Sequence, residues 1–495
     1  MYLLGFDIGS STVKAALIDA STGTLVASAS SPAEEMSIIT QRPEWAEQDP
    51  DLWWTHVKAA ASQIRRQAGS RTDAVMAIGI AYQMHGLVAV DRDQRVLRPA
   101  IIWCDSRAVE TGARAFQALG PDTCREVLLN SPGNFTASRL KWVSDHEPEV
   151  FERIDKMLLP GDYIALKMTG EACTTPSGLS EGILWDYQRQ DVAARVLEHY
   201  AIPHAMMPRL VPTFSQQGAL TRLAAAELGL VPGIPVTYRA GDQPNNAWSL
   251  NVREPGGVAA TAGTSGVIYG IQDAPCPDPH SRVNVFLHVN HSPSHPRFGV
   301  LLCVNGAGIL YRWIKQNLTA LSYEQMNAMA ARAPLGADHL LFLPYGNGAE
   351  RSLADRDLGA VMQGLNLKSH SLAHVLRAAQ EGVAFAMHYG LEIMRGMGIV
   401  PAVIRAGYTN MFLSPVFATA FAAVTKTVVE LYDTDGAQGA ARGAGVGAGV
   451  YATHEEAFTG LRHVQTVDPD PHMRNCYGES YARWFSLLNR HLDER

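Results

Sequence analysis

A carboxylate, several hydroxyl groups and a lysine lie close together near the beginning of the chain. Asp7 is followed by the run Gly9-Ser10-Ser11-Thr12, and Lys14 comes soon after that run. A turn of this composition offers backbone N–H groups and hydroxyls to an anion, and Lys14 adds a positive charge. The Asp7 carboxylate suits a hydrated Mg²⁺ better than a bare phosphate. The pattern predicts a site for a nucleotide phosphate tail with its metal, and an ordinary hairpin is the alternative.

Asp242 is the best candidate for a catalytic base. It lies between Gly241 and Gln243 at the end of an apolar run, where a carboxylate can face a cleft. A kinase that acts on an alcohol needs one group to orient the hydroxyl and accept its proton. An Asx-type turn or a helix cap is the competing interpretation.

Other polar groups carry weaker signals. The turn Gly263-Thr264-Ser265-Gly266 could hold a transferring phosphate, although many hairpins contain the same residues. Gln83-Met84-His85 interrupts an apolar region, in which a histidine is commonly structural. An ion pair alone would explain Asp105-Ser106-Arg107, and Glu350-Arg351 need be no more than a surface pair.

Strands and helices must position these residues, and the hydrophobic pattern predicts both. The predicted strands are three within Leu3–Ala29, two within Ala74–Val90, one at Ile101–Trp103, one within Pro235–Gln243 that ends in the acid Asp242, and a second strand–turn–strand at Gly257–Gly270. The predicted helices begin after Asp49-Pro50 or cover Ser371–Met397 and Ser414–Thr427. The small residues of Gly443–Gly449 lack the context of a dinucleotide-binding motif, so we expect a helix packed closely against the sheet.

The length and the repeated hairpin indicate two domains. A chain of 495 residues exceeds one hydrophobic core. The hairpin at Gly257–Gly270 echoes the opening one in layout rather than in close sequence, which suggests two domains of similar topology. Polar residues and Pro255-Gly256-Gly257 interrupt the pattern, so the boundary is expected within residues 246–256.

Composition excludes several classes of protein. A net charge of −7 argues against a nucleic-acid or anionic-membrane surface. No apolar run approaches the length of a membrane span, and no signal peptide is recognisable, so we expect a cytoplasmic protein. Six scattered cysteines without a C-x-x-C pair fit reduced thiols. The P-loop and H-E-x-x-H motifs are both missing from the sequence.

Taken in chain order, these motifs resemble the FGGY family of carbohydrate kinases over essentially the whole chain. The matching segments are residues 7–14, 47–54, 83–87, 97–103, 105–107, 241–243, 261–266, 305–308, 343–345 and 350–351. Each motif is modest by itself, but the ordered set is a strong signal.

The resemblance implies an α/β fold of two actin-like (ribonuclease H-like) ATPase domains, with mixed sheets and helices around a central cleft. Residues 1–246 would bind mainly the sugar and residues 247–495 mainly ATP. Domain closure over the cleft would exclude water and limit ATP hydrolysis. The expected partners are a sugar and ATP with Mg²⁺, without nucleic acid or membrane, and a homodimer is compatible with the sequence.

The resemblance also assigns roles to single residues. Asp242 would be the catalytic base and Asp7 would hold Mg²⁺ or its waters. The substrate-binding residues would be Gln83, Met84, His85, Asp105, Asp242 and Gln243. The ATP-binding residues would be Ser11, Thr12, Lys14, Gly263, Thr264, Gly306, Gly407 and Asn410.

The implied reaction transfers the γ-phosphate of ATP to the terminal hydroxyl of a ketopentose, with D-xylulose as the first choice. L-ribulose, L-xylulose, a deoxyketose, glycerol and gluconate stay open as acceptors. An actin- or Hsp70-like ATPase would share the hairpins but would not need Asp242 or the His85 loop.

Two segments depart from the family's usual pattern. Arg405-Ala406-Gly407-Tyr408-Thr409-Asn410 keeps one glycine where the adenosine motif usually has three. Side chains at 406 and 408 should narrow backbone access to the nucleoside, which leaves the nucleotide preference open. The loop Tyr345–Ser352 has Gly-Asn-Gly-Ala where Leu-Ser-Gly is common.

Overall fold

A computed structural model describes residues 1–494 of the chain. Its strands, in chain order, are β1 (Tyr2–Ile8), β2 (Val13–Asp19), β3 (Leu25–Ser31), β4 (Glu47–Gln48), β5 (Val75–Tyr82), β6 (Val88–Val90), β7 (Ala100–Ile101), β8 (Lys156–Leu158), β9 (Cys173–Thr174), β10 (Trp185–Asp186), β11 (Asp191–Val192), β12 (Arg209–Leu210), β13 (Val236–Gly241), β14 (Val258–Ala262), β15 (Gly266–Gln272), β16 (Asn284–Leu287), β17 (Phe298–Val304), β18 (Leu341–Leu343), β19 (Val361–Gln363), β20 (Val403–Gly407), β21 (Val428–Asp433) and β22 (Arg462–Val467).

The α-helices are α1 (Pro50–Ala68), α2 (Val109–Leu119), α3 (Pro121–Thr123), α4 (Thr136–His146), α5 (Pro148–Phe151), α6 (Pro160–Thr169), α7 (Pro176–Glu181), α8 (Ala194–Tyr200), α9 (Arg222–Leu228), α10 (Asp242–Ser249), α11 (Ala307–Leu318), α12 (Tyr323–Ala330), α13 (Leu372–Gly396), α14 (Pro415–Thr425), α15 (Gly436–Gly447) and α16 (Pro471–Asp493). None of these helices, which cover the described residues, is both long and apolar enough to cross a membrane.

The chain forms two compact units that are interleaved in sequence. Unit 1 comprises Met1–Asn251, Phe286–Phe298 and Thr434–Leu461, and unit 2 comprises Val252–Val285, Gly299–Asp433 and Arg462–Arg495. Two late segments therefore belong to unit 1, although they follow residue 246 in sequence. The functional division into residues 1–246 and 247–495 stays a prediction.

Unit 1 is built on a five-stranded sheet with the order β13-β5-β1-β2-β3. Strands β1, β5 and β13 are parallel, whereas β2 and β3 continue from β1 as antiparallel hairpins. Successive side chains of β1 point to opposite faces of the sheet. Phe6 packs in a core with Trp53 of α1, and Leu3 packs on the other face with Ala440 of α15. The sheet is thus covered by helices on both faces.

The sheet of unit 2 repeats this layout. Its order is β17-β15-β14-β20-β21-β22, with β16 at the outer edge next to β17. Strands β14, β20 and β21 are parallel, and β14 forms an antiparallel hairpin with β15. Strand β14 therefore has two parallel strands on one side and an antiparallel hairpin partner on the other. Strand β1 has the same arrangement in unit 1. The predicted echo between the two hairpins is confirmed as a repeated topology.

Helix α15 lies unusually close to the sheet of unit 1. A Cβ atom on Gly5 would stand 1.9 Å from the Ala437 carbonyl oxygen, and one on Gly79 would stand 2.0 Å from that of Ala440. Only glycine on the strands permits this approach. The prediction of a small-residue helix packed against the sheet is confirmed.

Most of the predicted elements are found, and one is wrong. The opening strands, the strands within 74–90, the strand before Asp242 and the second hairpin are confirmed, as are the helix capped by Asp49 and the two long helices. The predicted strand Ile101–Trp103 is only the two-residue β7, Ala100–Ile101. The chain turns after Ile102, whose carbonyl accepts the Asp105 N–H at 3.0 Å, so Trp103 cannot continue the ladder.

Candidate active site

The carboxyl ends of three parallel strands bring the main candidates of unit 1 together. Ile8, Tyr82 and Gly241 are in register, so β1, β5 and β13 end at one edge of the sheet. Asp7, the Gln83–His85 loop and Asp242 therefore leave this edge side by side. Such an edge is where open α/β sheets place their ligands.

Asp242 lies at the point where a strand becomes a helix. It is the first residue of α10, and the N-cap of that helix is Gly241, so the competing interpretation of Asp242 as a helix cap is wrong. Burial and then the nearby negative charge of Asp7 raise its pKa from 3.8 to about 7, against hydrogen bonds from Gln243 that lower the pKa. A carboxylate with a pKa near neutrality is matched to accept a proton at physiological pH. The helix N-terminus favours its ionised form.

Asp7 lies beside a second acid that sequence reasoning missed. Burial raises the pKa of Asp7, Lys14 opposes the rise, and Asp435 adds to it. Asp7 and Lys14 are cross-strand partners in the β1–β2 hairpin. Asp435 caps α15, accepting the Gln438 N–H at 2.9 Å. It follows strand β21 as Asp242 follows β13, and this shared strand–acid–helix pattern could have revealed it.

Close packing at Gly436 gathers oxygen donors around Asp7. A Cβ atom on Gly436 would stand 2.4 Å from Asp7 Oδ2 and 3.3 Å from Asn246 Oδ1. Asn245 reinforces this contact by donating from Nδ2 to the Gly436 carbonyl at 2.9 Å. Carboxylate and amide oxygens are the ligands that hard cations prefer. Among residues 1–494 no cluster of at least three His, Cys, Asp or Glu side chains forms a closed metal site. A Mg²⁺ held by one or two carboxylates and by phosphates does not require one.

The hydroxyl turn after β1 is ordered by its own backbone. The Gly9 N–H donates to the Thr12 carbonyl at 3.0 Å, and the Met36 N–H donates to that of Ser11 at 2.8 Å. Ser11 and Thr12 are half-buried, whereas Lys14 is exposed. Ser11 and Thr12 thus lie in one tight turn beside Asp7, and Lys14 follows on β2 opposite Asp7.

His85 is held in one orientation by groups on every side. Its backbone has a φ of 63°, and its Nδ1 lies 2.8 Å from the Glu181 carbonyl oxygen. Its ring packs edge-on against Phe135 and near Phe286. Burial and the nearby Arg139 lower the pKa of His85 to about 3, so the ring is neutral. Nδ1 therefore carries the proton that it donates to the carbonyl, and Nε2 is left as an acceptor.

Gln83 and Met84 are more enclosed than His85. Gln83 is 2% exposed, its N–H donates to the Ile8 carbonyl at 2.8 Å, and its side-chain oxygen has no partner among the described residues. Met84 packs against the end of β13, because a Cβ atom on Gly241 would stand 2.6 Å from Met84 Cγ. The loop thus lies directly against the strand that carries Asp242.

The structure places Asp105 in a buried ion pair. It is 0% exposed, and its oxygens accept hydrogen bonds from the Ala46 N–H at 2.7 Å and from Arg107 Nε at 2.9 Å. Arg107 also pairs with Glu47 at 2.7 Å. These partners occupy the carboxylate and favour the ion-pair interpretation over the implied contact with a sugar.

In unit 2 the turn between β14 and β15 lies against the beginning of α11. A Cβ atom on Gly308 would stand 2.0 Å from the Gly263 carbonyl oxygen, and the Ile309 N–H donates to the Thr264 carbonyl at 3.1 Å. Asn410 Nδ2 lies 3.4 Å from where a Cβ atom of Gly263 would be. Gly263, Thr264 and Asn410, all predicted to contact ATP, are therefore neighbours.

Glu350 supports this region, and its interpretation as a surface residue is wrong. It is 0% exposed and accepts the Asn305 N–H at 2.9 Å and the Gly306 N–H as well. Burial raises the pKa of Glu350 to about 8 against these two hydrogen bonds. Gly306 has no room for a side chain, since a Cβ atom would stand 1.5 Å from the Pro344 carbonyl oxygen. Arg351 pairs separately with Asp355 at 2.8 Å.

The altered adenosine segment begins at the end of β20. Gly407 is the last residue of that strand, and the Tyr408 N–H donates to the Tyr432 carbonyl at 2.7 Å. The Tyr408 side chain is exposed, and Asn410 has a positive φ of 52°. Arg405 pairs with Glu430 at 3.1 Å, which directs its charge along the sheet.

Comparisons with known proteins agree with this arrangement. The N-terminal domain model of the FGGY family of carbohydrate kinases matches residues 2–247, and its C-terminal domain model matches residues 258–452. The xylulose kinase of Escherichia coli strain K12 is 33% identical over 81% of this chain and 80% of its own. That of Klebsiella pneumoniae is 31% identical over 99% of both chains.

A solved structure gives the same result. The crystal structure of a "xyloylose kinase" from Brucella ovis has a TM-score of 0.88 and 27% identity, covering 99% of both chains. The predicted two-domain fold of the actin-like ATPase type is confirmed, and the protein is an enzyme of carbohydrate phosphorylation. The chain belongs to the FGGY family of carbohydrate kinases.

Proposed function

We propose that this kinase transfers the γ-phosphate of ATP to the terminal hydroxyl of D-xylulose, producing D-xylulose 5-phosphate and ADP. The observation that carries the proposal is Asp242, a buried carboxylate with a pKa of about 7 at the strand edge that also presents His85 and Asp7. The relatives named xylulose kinase support the choice of sugar.

Asp242 acts as the general base of the proposed reaction. The terminal hydroxyl oxygen forms a bond to the γ-phosphorus while the bond from that phosphorus to the bridging oxygen of ADP breaks. The hydroxyl proton passes to the Asp242 carboxylate, which is mostly ionised above its pKa of about 7. Neutral His85 offers Nε2 as an acceptor for another hydroxyl of the sugar.

The hairpin turns hold the phosphates. The turn of Ser11 and Thr12, with Lys14, contributes N–H groups, hydroxyls and a charge in unit 1. Gly263, Thr264 and Gly306 do so in unit 2, where Glu350 fixes the backbone at Gly306. Gly407 and Asn410 bind the nucleoside.

Mg²⁺ fits the oxygen donors around Asp7. Asp7, Asp435 and Asn246 would hold the ion or its waters. When bound, Mg²⁺ neutralises the charge that develops on the transferring phosphate. In this role Asp7 helps to orient the phosphates of ATP and takes no part in moving the proton.

A panel of acceptors tests the proposal. ADP release is measured with D-xylulose, L-ribulose, L-xylulose, glycerol and gluconate, and in the absence of an acceptor. We expect D-xylulose to have the highest kcat/KM, which is the measure of discrimination. Equal ATP consumption with and without any acceptor would contradict a sugar kinase and favour a simple ATPase.

We further propose a cytoplasmic location. All six cysteines are free thiols, which suits a reducing compartment. A homodimer stays a prediction that sedimentation analysis would test.

A further inference from the structure

Glu181 is a buried carboxyl group that the mechanism does not use. It is the last residue of α7 and is 1% exposed. It makes no ion pair with any residue of the described chain, 1–494, and its Oε2 atom has no hydrogen-bond partner there. An unpaired ionised carboxylate in such a place would be costly, which favours the neutral form of the group. Burial and then Asp242 raise the pKa of Glu181.

Glu181 contacts the His85 loop through both its main chain and its side chain. Its carbonyl oxygen accepts the proton of His85 Nδ1 at 2.8 Å, and its Oε1 faces the His85 N–H at 3.4 Å. The first contact fixes the tautomer of His85, and the second supports its unusual backbone, with a φ of 63°. Both features decide where Nε2 points.

Glu181 also packs on the residue before Asp242. A Cβ atom on Gly241 would stand 2.2 Å from Glu181 Oε2 and 2.6 Å from Met84 Cγ. Glycine at 241 therefore makes room for the carboxyl group beside the strand end. One side chain thus bridges the His85 loop and the strand that carries Asp242.

The surroundings of Glu181 discourage a second negative charge. The negative charges of Asp242 at the beginning of α10 and of Asp162 in α6 raise the pKa of Glu181, whereas hydrogen bonds from the His85 N–H and the Tyr82 hydroxyl of β5 act in the opposite direction. Arg239 of β13 pairs with Asp162 at 3.1 Å rather than with Glu181. The neutral His85 faces it from the loop.

We propose that Glu181 is a positioning residue which, as an uncharged carboxylic acid, aligns His85 with Asp242 for the acceptor hydroxyls. This inference rests on the proposed function, since it concerns the same acceptor site. Glu181 touches neither substrate nor transferring phosphate and acts only through its neighbours.

The test compares Glu181→Gln and Glu181→Ala in the full-length enzyme with D-xylulose and ATP. Gln has the shape and hydrogen-bonding capacity of the neutral acid, so we expect its kcat/KM within about threefold of wild type. Ala removes the bridge, and misplacement of about 1 Å predicts a loss of about 100-fold in kcat/KM for the sugar, with the KM for ATP unchanged. Glu198→Gln and Glu198→Ala, at an exposed position of α8, are the matched controls and should behave as wild type.

A pH profile separates this role from a purely structural one. The acid limb of kcat/KM in Glu181→Gln should coincide with that of wild type, because no charge has been removed. A limb displaced to lower pH by one unit or more would show that Glu181 is ionised, and would overturn the inference. A more than tenfold loss of kcat/KM in folded Glu181→Gln, or an unchanged kcat/KM in Glu181→Ala, would overturn the inference as well. Inactivity of wild type with every acceptor would instead refute the proposed function, and this inference with it.

Discussion

Replacing Asp242 by Asn should abolish phosphoryl transfer and make the protein more stable above neutral pH. In the folded protein the pKa of Asp242 is about 7 instead of 3.8, because it is buried near Asp7. The folded state therefore binds this proton more tightly than the unfolded chain. The stability that this bound proton contributes is fully present below pH 3.8 and is lost as the pH rises to about 7. Above that value the stability does not change further through this group. The loss amounts to at most about 4 kcal/mol.

Unfolding by urea, followed by tryptophan fluorescence, measures the stability effect. At pH 8 Asp242→Asn should unfold at a higher urea concentration than wild type, and at pH 5 the difference should be less than half as large. Asp273→Asn is the control, because Asp273 is an exposed carboxylate of unit 2 and its replacement should change neither activity nor stability.

ADP release measures the effect on catalysis. Wild-type kcat/KM should rise about tenfold between pH 6 and pH 8 as Asp242 ionises, and Asp242→Asn should be about 10²- to 10⁴-fold slower throughout. An active Asp242→Asn, or one that is no more stable than wild type at pH 8, would refute the assignment of Asp242 as a buried base with a raised pKa.

Three further changes test other parts of the structure. Asp105→Asn should destabilise the protein by about 1.5–3 kcal/mol, because buried Arg107 then keeps only Glu47 as its ion-pair partner, and a changed sugar KM in the folded variant would restore Asp105 as a sugar contact. Glu350→Ala should raise the KM for ATP about tenfold, because the Asn305 and Gly306 amides lose their acceptor, and an unchanged ATP titration would contradict that support. Gly5→Ala should lower thermal stability by about 1–3 kcal/mol because its Cβ would overlap α15, whereas Gly478→Ala, in an open helical position, should raise it by about 0.5–1 kcal/mol.

The strand-to-turn patterns were predictable from sequence because they depend on local periodicity. Asp7 and Asp242 each follow an apolar run, and both lie at strand ends in the structure. Their meeting at one sheet edge depends on strand order, which no local pattern specifies. The resemblance to a family supplied that order in advance.

The residues that sequence reasoning missed act through long-range contacts. Glu181 carries no motif of its own, Asp435 shares only the strand–acid–helix pattern of Asp242, and each gains its role from a neighbour far away in the chain. Glu350 was visible as a charged residue, but its burial follows from backbone amides near residue 305. Asp105 differs from these residues. The resemblance implied that it contacts the sugar, whereas in the structure it forms a buried ion pair with Arg107.

The interleaving of the two units has a consequence for synthesis of the chain. Helix α15, which covers one face of the first sheet, lies in the segment Thr434–Leu461, so a ribosome must complete most of the chain before it emerges. Until then the glycines of β1 and β5 face no partner, and the small apolar side chains around them remain exposed to water. Contacts between residues so distant in sequence form slowly. The first unit to be translated is therefore among the last to be finished, and a nascent chain of this enzyme depends on protection from aggregation for nearly all of its synthesis.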